Sequence, residues 1–288
     1  MAKSFHALAL TALLWLPSVS RAAWWAENDY SFGSNKFQRE SLTLFSRLSP
    51  ALVGGANASY YKDGGLYRDK AWAFRAPLMY STGKLVLSLK PFAYPASSAI
   101  RSSASGAKFS ALFPLLESDD ESYIHLTLSG AAARQRTLLN LRTGPDSEAF
   151  SETAFEAQME KSFYNQFFFL ASAAGFSRPE KARNSNLVNP VMDQGELAYL
   201  GTFRQVTALP QWAAAVQFAR NMAPDFDSYL YAGASRISFR NLEDANSFLG
   251  GMKMKISDNA TLDFAYNFYK TNGIAGKNYY KLLIQMFF

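Results

Sequence analysis

The feature that most constrains this chain is the regular alternation of side chains over its last eleven residues, 278–288. Lys281 and Gln285 lie on one face of this segment, and every residue of the other face is apolar or aromatic. Alternation with a period of two indicates a β-strand, and a strand of about eleven residues can cross a bilayer at a tilt within a closed barrel. The apolar row consists of Tyr280, Leu282, Ile284, Met286 and Phe288.

This strand resembles the C-terminal signature of bacterial outer-membrane β-barrels, in which alternating hydrophobic residues end on a terminal Phe. The resemblance covers this one strand directly. It implies that the barrel assembly machinery recognises the row from Tyr280 to Phe288, and that the partners of the folded protein are outer-membrane lipid and small solutes.

Similar alternation recurs along much of the chain and is clearest in the C-terminal third. Apolar rows begin at Trp72, Phe109, Trp212, Phe248 and Leu262, each opposed by polar residues. A soluble β-sandwich would alternate as well. Strands of about ten residues, and Tyr and Trp near strand ends, favour a membrane barrel, because soluble strands are shorter and aromatic residues concentrate at membrane interfaces.

The predicted fold class is therefore all-β: a closed antiparallel up-and-down transmembrane barrel of about 12 strands, with 10 or 14 as alternatives because bacterial barrels have even strand numbers. Both termini then lie on the periplasmic side. Residues 271–277 become an external loop and 257–259 a periplasmic turn. Counting back places the long polar segment 178–194 on the periplasmic side, where the resemblance implies short turns.

Three regions are predicted along the chain. Residues 1–22 form a secretory signal peptide, with Lys3 before an apolar core and cleavage after Ala22. Residues 23–36 form an irregular periplasmic segment rich in turn formers. Residues 37–288 form the barrel, located in the outer membrane of a Gram-negative-type bacterium.

Composition narrows the functional classes. Hydrophobic residues make up 49% and aromatic residues 15% of the chain, yet the mean hydropathy is slightly negative, so apolar residues must be dispersed among polar ones. Cysteine is absent and there are two histidines, which argues against disulfides, thiolate chemistry and metal centres. We predict no cofactor and no metal. The net charge of +6 is too small and scattered to predict nucleic-acid binding.

Two segments are ambiguous. Arg134 and Arg136 have the parity of lipid-facing residues, so either a turn resets the register near them or the strand extends beyond the bilayer. Residues 152–161 suit a strand or a helix, and an apolar row opposite Glu152, Glu156 and Glu160 favours a strand.

In the segment 228–240, Tyr229 and Tyr231 are assigned to the lipid and Arg236 to the lumen.

Charged residues predicted to face the lumen suggest a function. They are Arg47, Arg75, Lys90, Glu152, Glu156, Glu160, Arg204, Arg236, Arg240, Lys253, Lys255 and Lys281. In one interpretation they form a basic stripe facing an acidic patch, and the protein is a porin-like channel for small, anionic solutes. In the other they pair with each other and fill the interior of a non-conducting barrel, which acts as a structural or surface-binding element.

A lipid-active enzyme is the third and weakest hypothesis. His125 shares a strand face with Thr127 and Ser129, so a His-Ser arrangement is geometrically conceivable. The active-site patterns of phospholipase and deacylase barrels are not found in the sequence. We therefore predict no catalytic residues and no enzymatic activity.

Overall fold

A computed structural model describes residues 24–64, 71–96, 102–118, 122–141, 144–164, 166–178, 209–222, 228–240 and 242–288. These residues form a single continuous β-sheet. No helix within them is long and apolar enough to cross a membrane. The predicted signal peptide lies outside the described residues.

Fifteen strands make up the sheet, and each pairs antiparallel with its neighbours. Their bounds are β1 Trp24–Gly33, β2 Phe37–Arg47, β3 Leu52–Lys62, β4 Ala71–Arg75, β5 Leu78–Ser81, β6 Val86–Tyr94, β7 Ser102–Glu117, β8 Tyr123–Leu141, β9 Gly144–Phe163, β10 Phe167–Phe176, β11 Pro210–Asn221, β12 Tyr229–Phe239, β13 Ala245–Ser257, β14 Ala260–Thr271 and β15 Lys277–Phe287.

The sheet closes on itself as a barrel. Strand β1 pairs with β15, with Trp25 opposite Phe287 and Gly33 opposite Tyr279. Strands β4 and β5 both pair with β3 and β6, so they are two parts of one barrel strand. The barrel therefore has 14 strands. The predicted fold class is confirmed, and the count lies at the top of the predicted range rather than at its centre of twelve.

The N-terminal strand corrects one prediction. The structure places residues Trp24–Gly33 in β1, so the expected irregular segment over 23–36 is wrong for these residues. Asn28 and Asp29 suggest a turn when read alone. Inside the barrel, Asp29 faces the lumen, where its carboxylate lies 3.5 Å from the guanidinium of Arg39. A polar residue is acceptable in a membrane strand when its side chain points inward.

Trp24, the first described residue, and Phe288 lie at one end of the barrel, which we call the terminal end; the opposite end is the distal end. The amide of Phe288 donates to the carbonyl of Trp24 at 2.9 Å. Strand β10 ends at Phe176 and the adjacent strand β11 begins at Pro210, both at the distal end. The connection containing 178–194 therefore leaves and re-enters at the distal end, opposite to the prediction. Residues 179–208 lie outside the described residues.

Outward and inward faces differ in chemistry. The outward residues of mid-strand positions are apolar and exposed, including Leu89, Phe109, Phe155, Val216, Phe248 and Phe264. The inward faces carry the charged rows. In a soluble sandwich, two sheets would bury their apolar faces against each other. An apolar exterior around a polar interior is the arrangement of a barrel in lipid.

Strands β8 and β9 resolve both ambiguous segments. Strand β8 pairs with β9 without a register shift from Ile124 to Leu141, through Arg134 and Arg136. At 19 residues, β8 is longer than the roughly 9–11 residues that cross a bilayer. The strand therefore extends beyond the membrane at its distal end, as the second interpretation predicted. Glu152–Lys161 belong to β9, which confirms a strand.

Candidate solute pathway in the barrel lumen

The register of β12 overturns one predicted face. Tyr229 lies opposite Lys253 and Tyr231 opposite Gly251, so both tyrosines face the lumen and Arg236 faces outward. The sequence is ambiguous here because tyrosine combines an apolar ring with a polar hydroxyl and suits either side. Tyr231 donates its hydroxyl hydrogen to Asp263 Oδ1 at 2.6 Å, a contact that only an inward position provides.

Outside the lumen, Arg236 belongs to the distal rim. Its Nη2 donates to Asp244 Oδ2 at 2.8 Å, and its guanidinium lies 6.0 Å from the Trp212 ring centroid. The hydrogen bond from Arg236, supported by one from Ser238, lowers the pKa of Asp244 below its usual value. Asp244 lies between the end of β12 and the start of β13, so this pair lies at the distal end, beyond the outward apolar rows.

A further predicted lumen residue, Arg240, is not in the lumen wall. Arg240 lies just beyond the end of β12 and donates to the carbonyl of Phe176 at 3.0 Å. Arg204 lies outside the described residues. The remaining predicted residues face inward: Arg47, Arg75, Lys90, Glu152, Glu156, Glu160, Lys253, Lys255 and Lys281.

The distal half of the lumen is filled by inward side chains, a region that we call the filled zone. Tyr61 and Tyr279 have no exposed surface and Phe37 is 1% exposed. A barrel of this size leaves room inside unless large side chains occupy it. The larger residues of the zone are Phe37, Tyr61, Phe92, Tyr94, Phe176, Ile237, Phe239, Leu249, Tyr269 and Tyr279.

Arg75 organises the polar part of the filled zone. Its Nη1 donates to Asn57 Oδ1 and Ser59 Oγ, both at 2.9 Å. Its Nη2 donates to the hydroxyls of Tyr61 at 2.9 Å and Tyr94 at 3.0 Å. These four bonds fix the guanidinium against the wall formed by β3, β4 and β6. Arg75 therefore has a structural role in addition to the predicted lumen position.

Sequence reasoning missed Arg39, a second arginine of this wall. It is 6% exposed, lies near Asp29, and its guanidinium carbon is 5.8 Å from the Tyr61 ring centroid. The signal was available, because Arg39 has the same parity as Arg47, which was assigned to the lumen. Extending that row towards the start of β2 would have identified it.

The terminal half of the lumen carries a chain of polar contacts across β1, β14 and β15. Lys281 Nζ lies 3.0 Å from Asp263 Oδ2. Gln285 Nε2 donates to Glu27 Oε1 at 2.9 Å, and Thr261 donates to Gln285 Oε1 at 3.0 Å. Asp263 thus compensates the charge of Lys281, one of the residues that the sequence assigned to a basic stripe.

A cavity of about 430 Å³ opens between strands β8 and β12 in the terminal half. Tyr123 donates to Glu160 Oε1 at 2.5 Å within it. Three aromatic rings, one carboxylate and a few neutral side chains form the wall. The lining residues are Tyr123, Glu160, Phe168, Leu170, Gln217, Ala219 and Tyr229. The sequence identified Glu160 as a lumen residue but did not identify the cavity.

His125 lies beside this cavity. Its ring stacks on Tyr123 with a centroid distance of 4.2 Å, and its Nε2 is 3.7 Å from Glu117 Oε1. It faces the lumen together with Thr127 and Ser129, as the alternation predicted. Among the described residues, the contacts of His125 are with Tyr123 and Glu117 rather than with a serine hydroxyl.

Comparison with solved structures finds barrels that resemble this chain to different degrees. CdiB from Acinetobacter baumannii superposes with a TM-score of 0.54 at 9% identity, covering 94% of this chain and 60% of that chain. The Pseudomonas putida toluene transporter TodX gives a TM-score of 0.49 at 10% identity, covering 96% and 93%. A bacterial polysaccharide outer membrane secretin gives 0.48 at 12% identity, covering 93% and 98%. This chain thus spans less than two thirds of the length of CdiB.

No protein-family model matches the chain, and no curated protein matches its sequence. The structural likeness to CdiB, at 9% identity, concerns the fold. Together with the closed antiparallel sheet and its outward apolar rows, it shows that this chain has the fold of bacterial outer-membrane β-barrels.

Proposed function

We propose that this protein is an outer-membrane barrel that conducts small solutes through a narrow lumen, as porins do. The observation that carries the proposal is the inward set of charged residues, which continues from the terminal half into the filled zone. Charges that line an interior lower the entry barrier for polar solutes. In a non-conducting barrel we expect each of these charges to be paired, whereas Lys253 and Glu160 have no partner of opposite charge among the described residues.

The proposed pathway starts at the terminal end, which the resemblance places in the periplasm. It passes the cavity and then the filled zone. There, Arg39 and Arg75 lie on the wall of β2 to β4, and Glu152 and Glu156 lie across the lumen on β9. The buried aromatic residues leave little free cross-section. We therefore expect a small unit conductance.

Charge selectivity in this proposal depends on lumen charges that lack an opposite partner. Lys108 Nζ lies 3.6 Å from Glu156 Oε2, and Lys255 Nζ lies 3.2 Å from Asp258 Oδ1. Among the described residues, Lys253 has no carboxylate partner and Glu160 has no cationic partner. Lys253 then favours anions, as the sequence predicted, and Glu160 favours cations at the cavity.

Single-channel recording in planar bilayers tests the proposal. The wild-type protein is expected to show small discrete openings. Tyr279→Ala removes a fully buried inward ring, so we expect a larger unit conductance. Tyr280→Ala is the matched control, because the adjacent side chain faces outward and contacts Phe32 and Tyr266.

The competing function is a non-conducting structural or surface-binding barrel. Absence of openings in the wild-type protein and in Tyr279→Ala would establish this alternative. Cell fractionation and a gel-mobility change on boiling test the proposed outer-membrane location and the closed barrel on the same samples.

A further inference from the structure

We infer that the cavity between β8 and β12 is a binding site for a small organic cation that carries an aromatic or apolar group. The inference deepens the proposed function by naming a solute class, and it rests on that function only for the route by which the solute enters. A volume of about 430 Å³ lies within the range of about 300–1,000 Å³ that is typical of small-molecule sites.

The first argument is the carboxylate of Glu160. Its hydrogen-bond partner among the described residues is the phenol of Tyr123, a neutral group. Two other lumen carboxylates have a cationic partner, since Asp263 has Lys281 and Glu156 has Lys108, whereas Glu27 is bonded by the neutral amide of Gln285. A partly buried carboxylate without a nearby cation is costly unless a counter-charge reaches it. An ammonium group in the cavity would provide that charge.

The second argument is the ring of aromatic side chains around this carboxylate. Tyr123 and Phe168 lie with ring centroids 6.4 Å apart and planes inclined by 47°, and Tyr229 lines the same cavity. Faces of aromatic rings attract organic cations, most strongly when the site excludes water. Leu170 and Ala219 complete the wall with apolar surface, which suits the hydrocarbon part of such a ligand.

Tyr123 also holds the carboxylate in place. Its ring is stacked on His125 at 4.2 Å, and its hydroxyl bonds one oxygen of Glu160. The second oxygen has no partner among the described residues and is available to a ligand. A fixed carboxylate loses less conformational entropy on binding than a mobile one.

Substitution of Lys253 tests whether the site binds cations through electrostatic attraction. Its Nζ lies 6.0 Å from the Tyr229 ring centroid, but Lys253 is not among the residues that line the cavity. Its positive charge should weaken cation binding modestly. Lys253→Gln is therefore expected to raise the affinity for an amine by roughly twofold.

Isothermal titration calorimetry on the purified full barrel in detergent tests the inference with three matched probes: 2-phenylethylamine, 2-phenylethanol and 3-phenylpropionate. We expect the amine to bind at least about tenfold more tightly than the alcohol, and the carboxylate to bind most weakly. Glu160→Gln should reduce the preference for the amine over the alcohol to less than about threefold. Phe168→Leu should weaken amine binding by about threefold and alcohol binding less.

Glu27→Gln is the matched control, since Glu27 is an inward carboxylate that does not line the cavity and is bonded by Gln285. It should leave the amine affinity unchanged. Equal binding of amine and alcohol to the wild-type protein, or an unchanged amine preference in Glu160→Gln, would overturn the inference. Binding is measured here without solute flux, so the two hypotheses can fail separately. If the protein shows channel openings but no preference for the amine, the binding site is refuted and the channel is not. If the protein binds the amine but shows no openings, the channel is refuted and the binding site is not.

Discussion

The two halves of the lumen are built on the same strands, yet they differ in how their polar groups are compensated. In the filled zone, Arg75 makes four hydrogen bonds to neutral side chains. In the cavity, Glu160 has one phenol as its partner within the part of the chain that the structure describes. The difference indicates that the filled zone stabilises the barrel and narrows the path, whereas the cavity retains binding capacity for a ligand.

The largest difference is expected from truncating one large side chain in each half. Tyr279→Ala removes a side chain with no exposed surface and should lower the free energy of unfolding by about 3–5 kcal/mol. Leu170→Ala, in the wall of a cavity that already exists, should cost about 1 kcal/mol. Urea unfolding in detergent measures both. Equal costs would mean that the two halves are packed alike.

A slightly smaller effect is expected for the arginine of the filled zone. Arg75→Met keeps most of the side-chain volume but removes the guanidinium that bonds Asn57, Ser59, Tyr61 and Tyr94. We expect a loss of about 3 kcal/mol in unfolding free energy. Arg47→Met is the control, because Arg47 is an exposed inward residue at the terminal end, and it should change stability by less than about 0.5 kcal/mol. A neutral Arg75→Met would show that the hydrogen-bond network adds little.

Charge reversal in the terminal half of the lumen and at the distal rim should affect ion selectivity differently. Lys253→Glu reverses an inward charge near the cavity and should shift the permeability ratio towards cations by roughly twofold or more. Arg236→Glu should leave the ratio unchanged, because Arg236 faces outward beside Asp244. Reversal potentials in a salt gradient measure both variants. A shift in Arg236→Glu as large as that in Lys253→Glu would contradict the register of β12.

The smallest effect is expected for the Arg236–Asp244 pair. This ion pair lies outside the lumen and is accessible to solvent, so it can be compared with the enclosed charges of the lumen. Hydrogen bonds from Arg236 and Ser238 lower the pKa of Asp244, so Arg236→Gln should raise that pKa towards its usual value. Because the folded-state pKa is depressed, the stabilisation is present above the unfolded-state pKa and is lost as the pH falls through the folded-state pKa. A carboxyl chemical-shift titration of Asp244 measures the change. An unchanged titration midpoint would show that Arg236 does not lower the pKa of Asp244.

Most of the barrel wall could be predicted from alternation alone. The outward row Tyr280, Leu282, Ile284 and Met286 in β15 and the outward row Leu262, Phe264, Tyr266 and Phe268 in β14 follow directly from the register. The prediction failed in β12, where the outward row contains two alanines and Arg236 while tyrosines face inward. Tyrosine suits either solvent, so its position is decided by whether a partner such as Asp263 exists on one side.

The candidate site was less predictable. Glu160 was correctly assigned to the lumen, but its aromatic surroundings come from β8, β10 and β12, which are distant in sequence. Nothing in the period-two pattern relates Tyr123 to Tyr229. The strand count was also uncertain, because β1 is rich in polar residues that satisfy each other only after the barrel closes.

The sequence by itself determined the class of structure, since a period-two pattern over many strands allows one apolar face to meet lipid and one polar face to line an interior. It also fixed which residues of most strands share a face. The tertiary structure alone decided which charges have partners, which half of the lumen is filled and where a cavity remains. These properties depend on contacts across the barrel, and local alternation carries no information about distances between strands that are far apart in the chain.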